Sequence, residues 1–178
     1  MKVWNVVLTS HSNREQRLLR EVADLGEFHP SGFREVIIGL VPDIPAFLET
    51  MRQRWQEQTF LQEILSTIVP VSVMFPFNVA DLLPRLQEHV APFASEIDGH
   101  PFYVRLIRRG HKGEINSQEI EQALDRFLAD KISTLGFSPV IDFQGPRYIV
   151  VVELIHNQCG VGLLSTELKA RYPFIRVK

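Results

Sequence analysis

Only one cysteine, Cys159, occurs among the 178 residues, which excludes an internal disulfide and a cysteine-rich zinc site. No apolar run approaches the roughly 18 residues a membrane-crossing helix needs, so no membrane partner is expected. The opening MKVWNVVLTSHSNREQ has an apolar stretch too short for a secretory signal and no small-residue cleavage site. A cytoplasmic protein is the expectation. The 6 histidines show no HExxH-like spacing, and Walker loop, GxGxxG and GxSxG elbow are all missing. Gly160-Val161-Gly162 is a lone GxG. From these absences we expect no catalytic residue, no metal and no cofactor, hence a protein that is not an enzyme.

What is present describes an ordinary globular chain: 45% hydrophobic, 22% charged, with no low-complexity tract and no repeat. That length suits one domain or two small ones. The net charge of −2 conceals an asymmetry. Residues 1–100 hold 8 Lys+Arg and 13 Asp+Glu, whereas residues 101–178 hold 11 and 8. A basic second half points to an anionic partner met locally, since the overall balance is not that of a nucleic-acid coat.

Along the first half, Val3 to Leu8 reads as a strand, and Leu18, Leu19, Val22 and Leu25 fall at helical spacing before a stop at Gly26. A turn around His29-Pro30-Ser31-Gly32 leads to the buried strand Val36 to Val41. Pro42-Asp43 opens a helix with Ile44, Phe47, Leu48, Met51 and Trp55 on one face. Thr67 to Phe75 then reads as one strand, whose Pro70 requires an edge or a bulge. Strand, helix, strand, strand, helix, strand is the ferredoxin-like order. We place a domain boundary at Pro76-Phe77-Asn78, giving domains 1–76 and 77–178.

The second half opens with Val79, Leu82, Leu86, Val90, Phe93 and Ile97 at helical spacing, broken before Pro92 into two pieces. A strand follows at Phe102 to Arg108, then a Gly-flanked loop, then a helix entered through Asn116 and Glu119 as a capping box. Three strands close the chain: Val140 to Phe143, Tyr148 to Ile155 and Gly160 to Leu164. Gly145-Pro146 is read as the turn from the first to the second. The fold class is therefore α/β (α+β) in both halves.

The densest feature is Arg105-Leu-Ile-Arg108-Arg109-Gly110-His111-Lys112-Gly113, four fixed positive charges in eight residues at a strand end. The following helix begins there, so its free N–H groups and positive dipole end face the same place. Charge and backbone donors together hold phosphate. A solvated basic turn balanced by Glu114 and Glu119 is the plainer alternative. The tail from Lys169 to Lys178 interleaves Arg171 and Arg176 with Tyr172 and Phe174. Aromatics beside cations suit single-stranded nucleic acid, although anchoring of the terminus is the reading we put first. Asp142 and Glu153 sit at hairpin-like separation and read as hairpin or surface charges. Cys159 reads as a small buried residue entering a strand.

Phe102-Tyr-Val-Arg105-Leu-Ile-Arg108-Arg109-Gly110 resembles the strand of alternating apolar and basic residues of THUMP domains, ending in Arg-Gly. Ser117-Gln-Glu-Ile120, Tyr148-Ile-Val-Val-Val-Glu153-Leu and Gly160-Val-Gly162-Leu-Leu resemble the family's next helix and later strands. Val3 to Phe75 resembles the ferredoxin-like domain that commonly precedes THUMP. The resemblance implies a tRNA-binding platform that recognises the acceptor end and presents tRNA to a separate modifying enzyme. It implies Arg105, Arg108, Arg109 and Lys112 as phosphate or sugar contacts, with Arg171 and Arg176 as further RNA-binding candidates. The family's enzymes carry an appended catalytic domain that is not seen here; the chain looks more like the adaptor that assists tRNA cytidine acetylation. No DNA partner is expected. The rival expectation is a protein-interaction module that docks an acidic partner without RNA.

Overall fold

β1 (Val6–Ser10) pairs on both sides, with β3 (Val36–Leu40) and β4 (Leu65–Pro70), and β2 (Glu27–Pro30) adds to β3. All three pairings are antiparallel, in the order β2-β3-β1-β4. α1 (Glu15–Val22) links the first two strands, and α2 (Ile44–Glu57) with α3 (Thr59–Ile64) links the last two. This is the ferredoxin-like arrangement expected from the element order. Asp43 starts α2 by accepting from the Ala46 N–H at 3.0 Å, with Pro45 in the first turn. The short α3, which the periodicity did not foretell, buries Leu61 and Ile64. Gly26 lies beyond the end of α1 for a reason other than stopping it. A Cβ there would sit 2.4 Å from the Leu40 carbonyl oxygen, so glycine is what lets the strand approach.

The computed structural model describes residues 2–177, which divide into two units: residues up to Val71 joined by those from Leu168 on, and Ser72–Glu167. The boundary therefore falls within the expected strand Thr67 to Phe75, not at 76/77, and the second domain does not run to the terminus. The Val71 N–H donates to the Asn5 carbonyl at 2.9 Å, while the Ser72 N–H donates to Val161 at 2.7 Å. Pro70 ends β4, the edge strand of its sheet, as a residue without an N–H should. β5 (Val73–Pro76) begins anew in the other sheet, antiparallel to β9 (Gln158–Ser165). After α7 (Thr166–Arg171) the tail rejoins the first unit. There Phe174 is fully buried against Trp55, with ring centroids 5.6 Å apart, and its carbonyl accepts from the Ile68 N–H at 2.8 Å. The anchoring reading of Tyr172 and Phe174 holds: both are buried.

The second unit is a five-stranded mixed sheet, β5-β9-β8-β6-β7, where β6 is Pro101–Arg109, β7 Val140–Ile141 and β8 Tyr148–Ile155. β8 and β9 form an antiparallel hairpin, whereas β6 lies parallel to both β8 and β7. Gly145-Pro146 thus does not close a β7–β8 hairpin, because β6 runs between those strands. α4 (Leu82–Val90) and α5 (Phe93–Ile97) are the two expected pieces, and α6 (Ser117–Thr134) completes the layer over the sheet. Leu86, Val90, Leu124 and Leu128 meet Val104, Val152 and Val161 in one apolar core. Among the described residues, no helix is long and apolar enough to cross a membrane.

β7 is only two residues long, so among the described residues most of the outer edge of β6 has no neighbouring strand. Two acids one turn apart on α6 take its amides instead. Val104 N–H donates to Asp125 Oδ1 at 2.9 Å, and Leu106 N–H to Glu121 Oε2 at 2.8 Å. Burial pushes the Asp125 carboxyl up to about 6, and the charge of Glu121 adds to it. The folded state therefore holds this proton more tightly than the unfolded chain. The stability it confers below the ordinary aspartate range is lost as pH rises through about 6. In urea denaturation, Asp125→Asn should match the parent protein near pH 4 and exceed it by on the order of 2 kcal/mol at pH 7.5. Asp125→Ala, which leaves the Val104 amide unsatisfied, should lose about 1–3 kcal/mol at low pH. A pH-independent gap between Asp125→Asn and the parent would contradict the assignment.

Candidate nucleic-acid interface

β6 delivers its last basic residues to a loop whose backbone is unusual. Gly110 (φ 100°), His111 (φ 55°) and Gly113 (φ 82°) all adopt left-handed conformations. A non-glycine residue rarely does so without support. His111 has it: its Nε2 lies 2.9 Å from the His156 carbonyl, and its ring faces Phe77 at 5.5 Å. The His156 N–H in turn donates to the Arg109 carbonyl at 3.1 Å, clipping the loop to the β8–β9 turn. Ile115 then buries itself in the core, and Asn116 Oδ1 accepts from the Glu119 N–H at 3.1 Å to start α6. Asn116 thus caps the helix as the sequence suggests.

Between this loop and α6 is an open depression of about 560 Å³, lined by Arg108, Gly113, Glu114, Asn116, Ser117 and Glu119. The dipole end of an 18-residue helix points at it. Arg108 Nη1 donates to the Gly110 carbonyl, folding the guanidinium over its own loop. Lys112 is exposed on the same loop. Arg105 projects from the strand with 42% of its side chain exposed, and its Nη1 is 3.7 Å from Glu121 Oε2. Glu114 and Glu119 moderate the positive field at the mouth without closing it. An anion held here would meet cations on one side and backbone donors on the other.

Arg109 differs from its neighbours. Its guanidinium is ion-paired to Glu153, with 16% and 1% of the two side chains exposed. Burial pushes the Glu153 carboxyl up to about 7, opposed by the positive charge of Arg109. Expected as a phosphate contact, Arg109 is instead committed to an internal ion pair. Glu153 is correspondingly not a surface charge. Asp142 is half-buried and bonded within its own turn, accepting from Gln144 and Gly145 N–H at 2.9 and 3.1 Å, which hold its carboxyl below the usual range. Cys159 is buried as expected, and burial pushes its thiol up.

Arg171 and Arg176 belong to the other unit. Arg171 pairs with Glu49, which also accepts from the Tyr172 hydroxyl at 3.0 Å, and Arg176 Nη2 donates to the Ser66 carbonyl at 3.0 Å. The structure thus sets Arg108 at the depression and Lys112 on its loop, leaves Arg105 half-exposed beside Glu121, turns Arg109 inward, and engages the tail arginines locally. Burial of Glu121, Asp125 and Glu153 is absent from the sequence reading, although acids at 121 and 125 on the same helical face as Leu124 and Leu128 are a readable sign.

Removing one member of a buried pair strands the other's charge, which costs about 3–5 kcal/mol. Arg109→Ala should therefore destabilise the protein by that order in chemical denaturation, and the double change Arg109→Met with Glu153→Met should recover most of it. Arg105→Ala and Arg108→Ala should each cost less than about 0.5–1 kcal/mol. Equal costs at all three positions would refute this division.

No curated protein matches the sequence. Among solved structures, TrmN from Thermus thermophilus is similar with a TM-score of 0.64 at 18% identity, over 89% of this chain and 44% of its own. PH1313 from Pyrococcus horikoshii gives 0.62 at 10% identity, over 91% and 54%. A 4-thiouridine synthetase, solved with RNA and ATP, gives 0.55 at 11% identity, over 91% and 41%. At such identities the likeness is one of fold, and this chain spans roughly half the length of each or less. The family model for the THUMP domain matches residues 83–164, from α4 to β9, the stretch that contains the loop and depression. Residues 83–164 are accordingly a THUMP domain, a module associated with RNA binding and tRNA modification.

Proposed function

We infer that the protein binds tRNA without acting on it chemically, gripping the acceptor end and assisting a separate tRNA-modifying enzyme. Cytidine acetylation is the reaction to test first. The observation that carries this reading is the depression at the start of α6, inside the THUMP domain, which Arg108 lines while Lys112 is exposed on the same loop and Arg105 is half-exposed further back on β6. Folded RNA is recognised through phosphates, 2′-hydroxyls and splayed ends, and such a surface suits the first of these. The 4-thiouridine synthetase of similar fold was itself solved as a complex with RNA. Arg109 serves by holding the loop in place. Arg171 and Arg176 tie down the tail, so their contribution to RNA is secondary.

Purified protein titrated with total tRNA, with tRNA lacking its 3′ nucleotides and with an unrelated duplex RNA should prefer intact tRNA. Three phosphate contacts give a slope of log K against log salt near −3, and Arg105→Ala or Arg108→Ala should each make it shallower by about 1. A flat salt response, or indifference among the three RNAs, would overturn the reading. Co-purification with a protein after nuclease treatment would then favour the protein-docking alternative.

A further inference from the structure

β7 lies at one edge of its sheet, and among the described residues no strand pairs with its outer side. The Asp142 N–H donates to the Phe102 carbonyl at 3.0 Å, and amides alternate in direction along a strand, so Ile141 turns its N–H and carbonyl outward. Around this open pair the apolar side chains are bare. Five of the seven large apolar residues exposed among the described residues fall in one stretch: Leu135, Phe137, Val140, Ile141 and Phe143. The stretch is held at both ends. Gly136 (φ 94°) ends α6, with the Phe137 N–H returning to the Ile132 carbonyl at 3.2 Å. Beyond β7, Asp142 fixes the next turn through the Gln144 and Gly145 amides.

We propose that two copies of the chain associate at this edge, β7 pairing antiparallel with β7 of the second copy about a two-fold axis at Ile141. In that arrangement each Ile141 N–H donates to the other copy's Ile141 carbonyl, which satisfies both open amides. Charge selects a second copy over other partners. A two-fold contact sets a patch against itself, so a patch bearing charges of one sign would repel its mate. Residues 132–146 carry a single charge, Asp142, whose carboxylate is already taken up by its own turn. A strongly basic or acidic partner finds no counter-charge here, whereas an identical apolar strip is its own complement. Pro139 has no N–H and confines the ladder to the Ile141 pair, so side chains supply most of the contact. With Leu135 51% and Phe143 68% exposed, the strip presents roughly 400–500 Å² of apolar surface per copy. A partner in a standard interface contributes about 800 Å², so the dimer is a reversible one, with Kd on the order of micromolar. The basic loop lies at the other end of β6, roughly 20 Å along the strand, and stays open in both copies. The proposal does not rest on the RNA-binding reading.

Sedimentation velocity of the full chain, from low micromolar to several hundred micromolar, tests it. The parent should pass from the mass of one chain to that of two. Phe143→Asp and Leu135→Asp, both at exposed positions, should each weaken the dimer about tenfold or more, because each sets like charges near the axis. Ile141→Asp and Ile141→Lys should each stay monomeric, and an equal mixture of the two should recover the dimer, since the residues stand directly opposite. Ile141→Cys should cross-link to itself under mild oxidation, because opposed residues of such a pair have Cα atoms about 5.5 Å apart, within disulfide reach. Cys159 is buried and adds no background, and Val79→Cys, exposed away from β7, should not cross-link. Circular dichroism melts confirm that each variant is folded. A parent that stays monomeric throughout overturns the proposal and leaves the RNA reading untouched. A dimer indifferent to Phe143→Asp and Leu135→Asp, or one in which Ile141→Cys fails to cross-link, overturns the β7 interface.

Discussion

The open edge of β6 is the constraint on which the second unit depends. A strand with a two-residue neighbour has backbone donors that need partners, and water or another chain would otherwise supply them. Here α6 supplies them through Glu121 and Asp125. Two side chains one helical turn apart, each bonded to an alternate residue of the strand, set both the rotation and the height of the helix. The start of α6 is thereby held beside the end of β6, and the basic loop between them has little freedom. The same bonds obstruct addition of a further strand at that edge, so an otherwise adhesive surface is blunted by charge.

Within the basic cluster, identical side chains have different tasks because of what lies beneath them. Arg109 faces the buried Glu153, and a carboxylate in that position needs a cation more than any ligand would. Its pairing immobilises the final residue of β6, from which the left-handed turn at Gly110 and His111 departs. Arg105 and Arg108 come before that anchor and Lys112 after it. An internal ion pair thus anchors the strand end from which an exposed basic loop departs.

Local patterns were legible in the sequence. Alternation and helical spacing marked most elements, Asn116 marked its cap, Pro92 marked the break between helices, and the order of elements indicated the ferredoxin-like half. Each of these depends on neighbours in the chain. The exchange of sheets at Val71-Ser72 was not legible, because both halves of that stretch are good strand sequence and only their distant partners, Asn5 and Val161, separate them. Asp142 and Glu153 were misplaced relative to each other for the same reason: the strand between their own strands comes from earlier in the chain. The THUMP resemblance rested on the residues of β6, β8 and β9, which carry both the pattern and the core. The burial of Asp125 was masked by its charge, since an acid is normally assigned to solvent.

The discontinuity of the first unit has a consequence for biogenesis. Its strands are made early, but Tyr172, Phe174 and Ile175, which are buried in it, are synthesised only after the whole of the second unit. The second unit, continuous from Ser72 to Glu167, has all its strands on hand sooner. On a ribosome the unit begun earlier is therefore completed after the one begun later, and the THUMP-bearing unit can gather its core while its predecessor still waits for residues 168 onward.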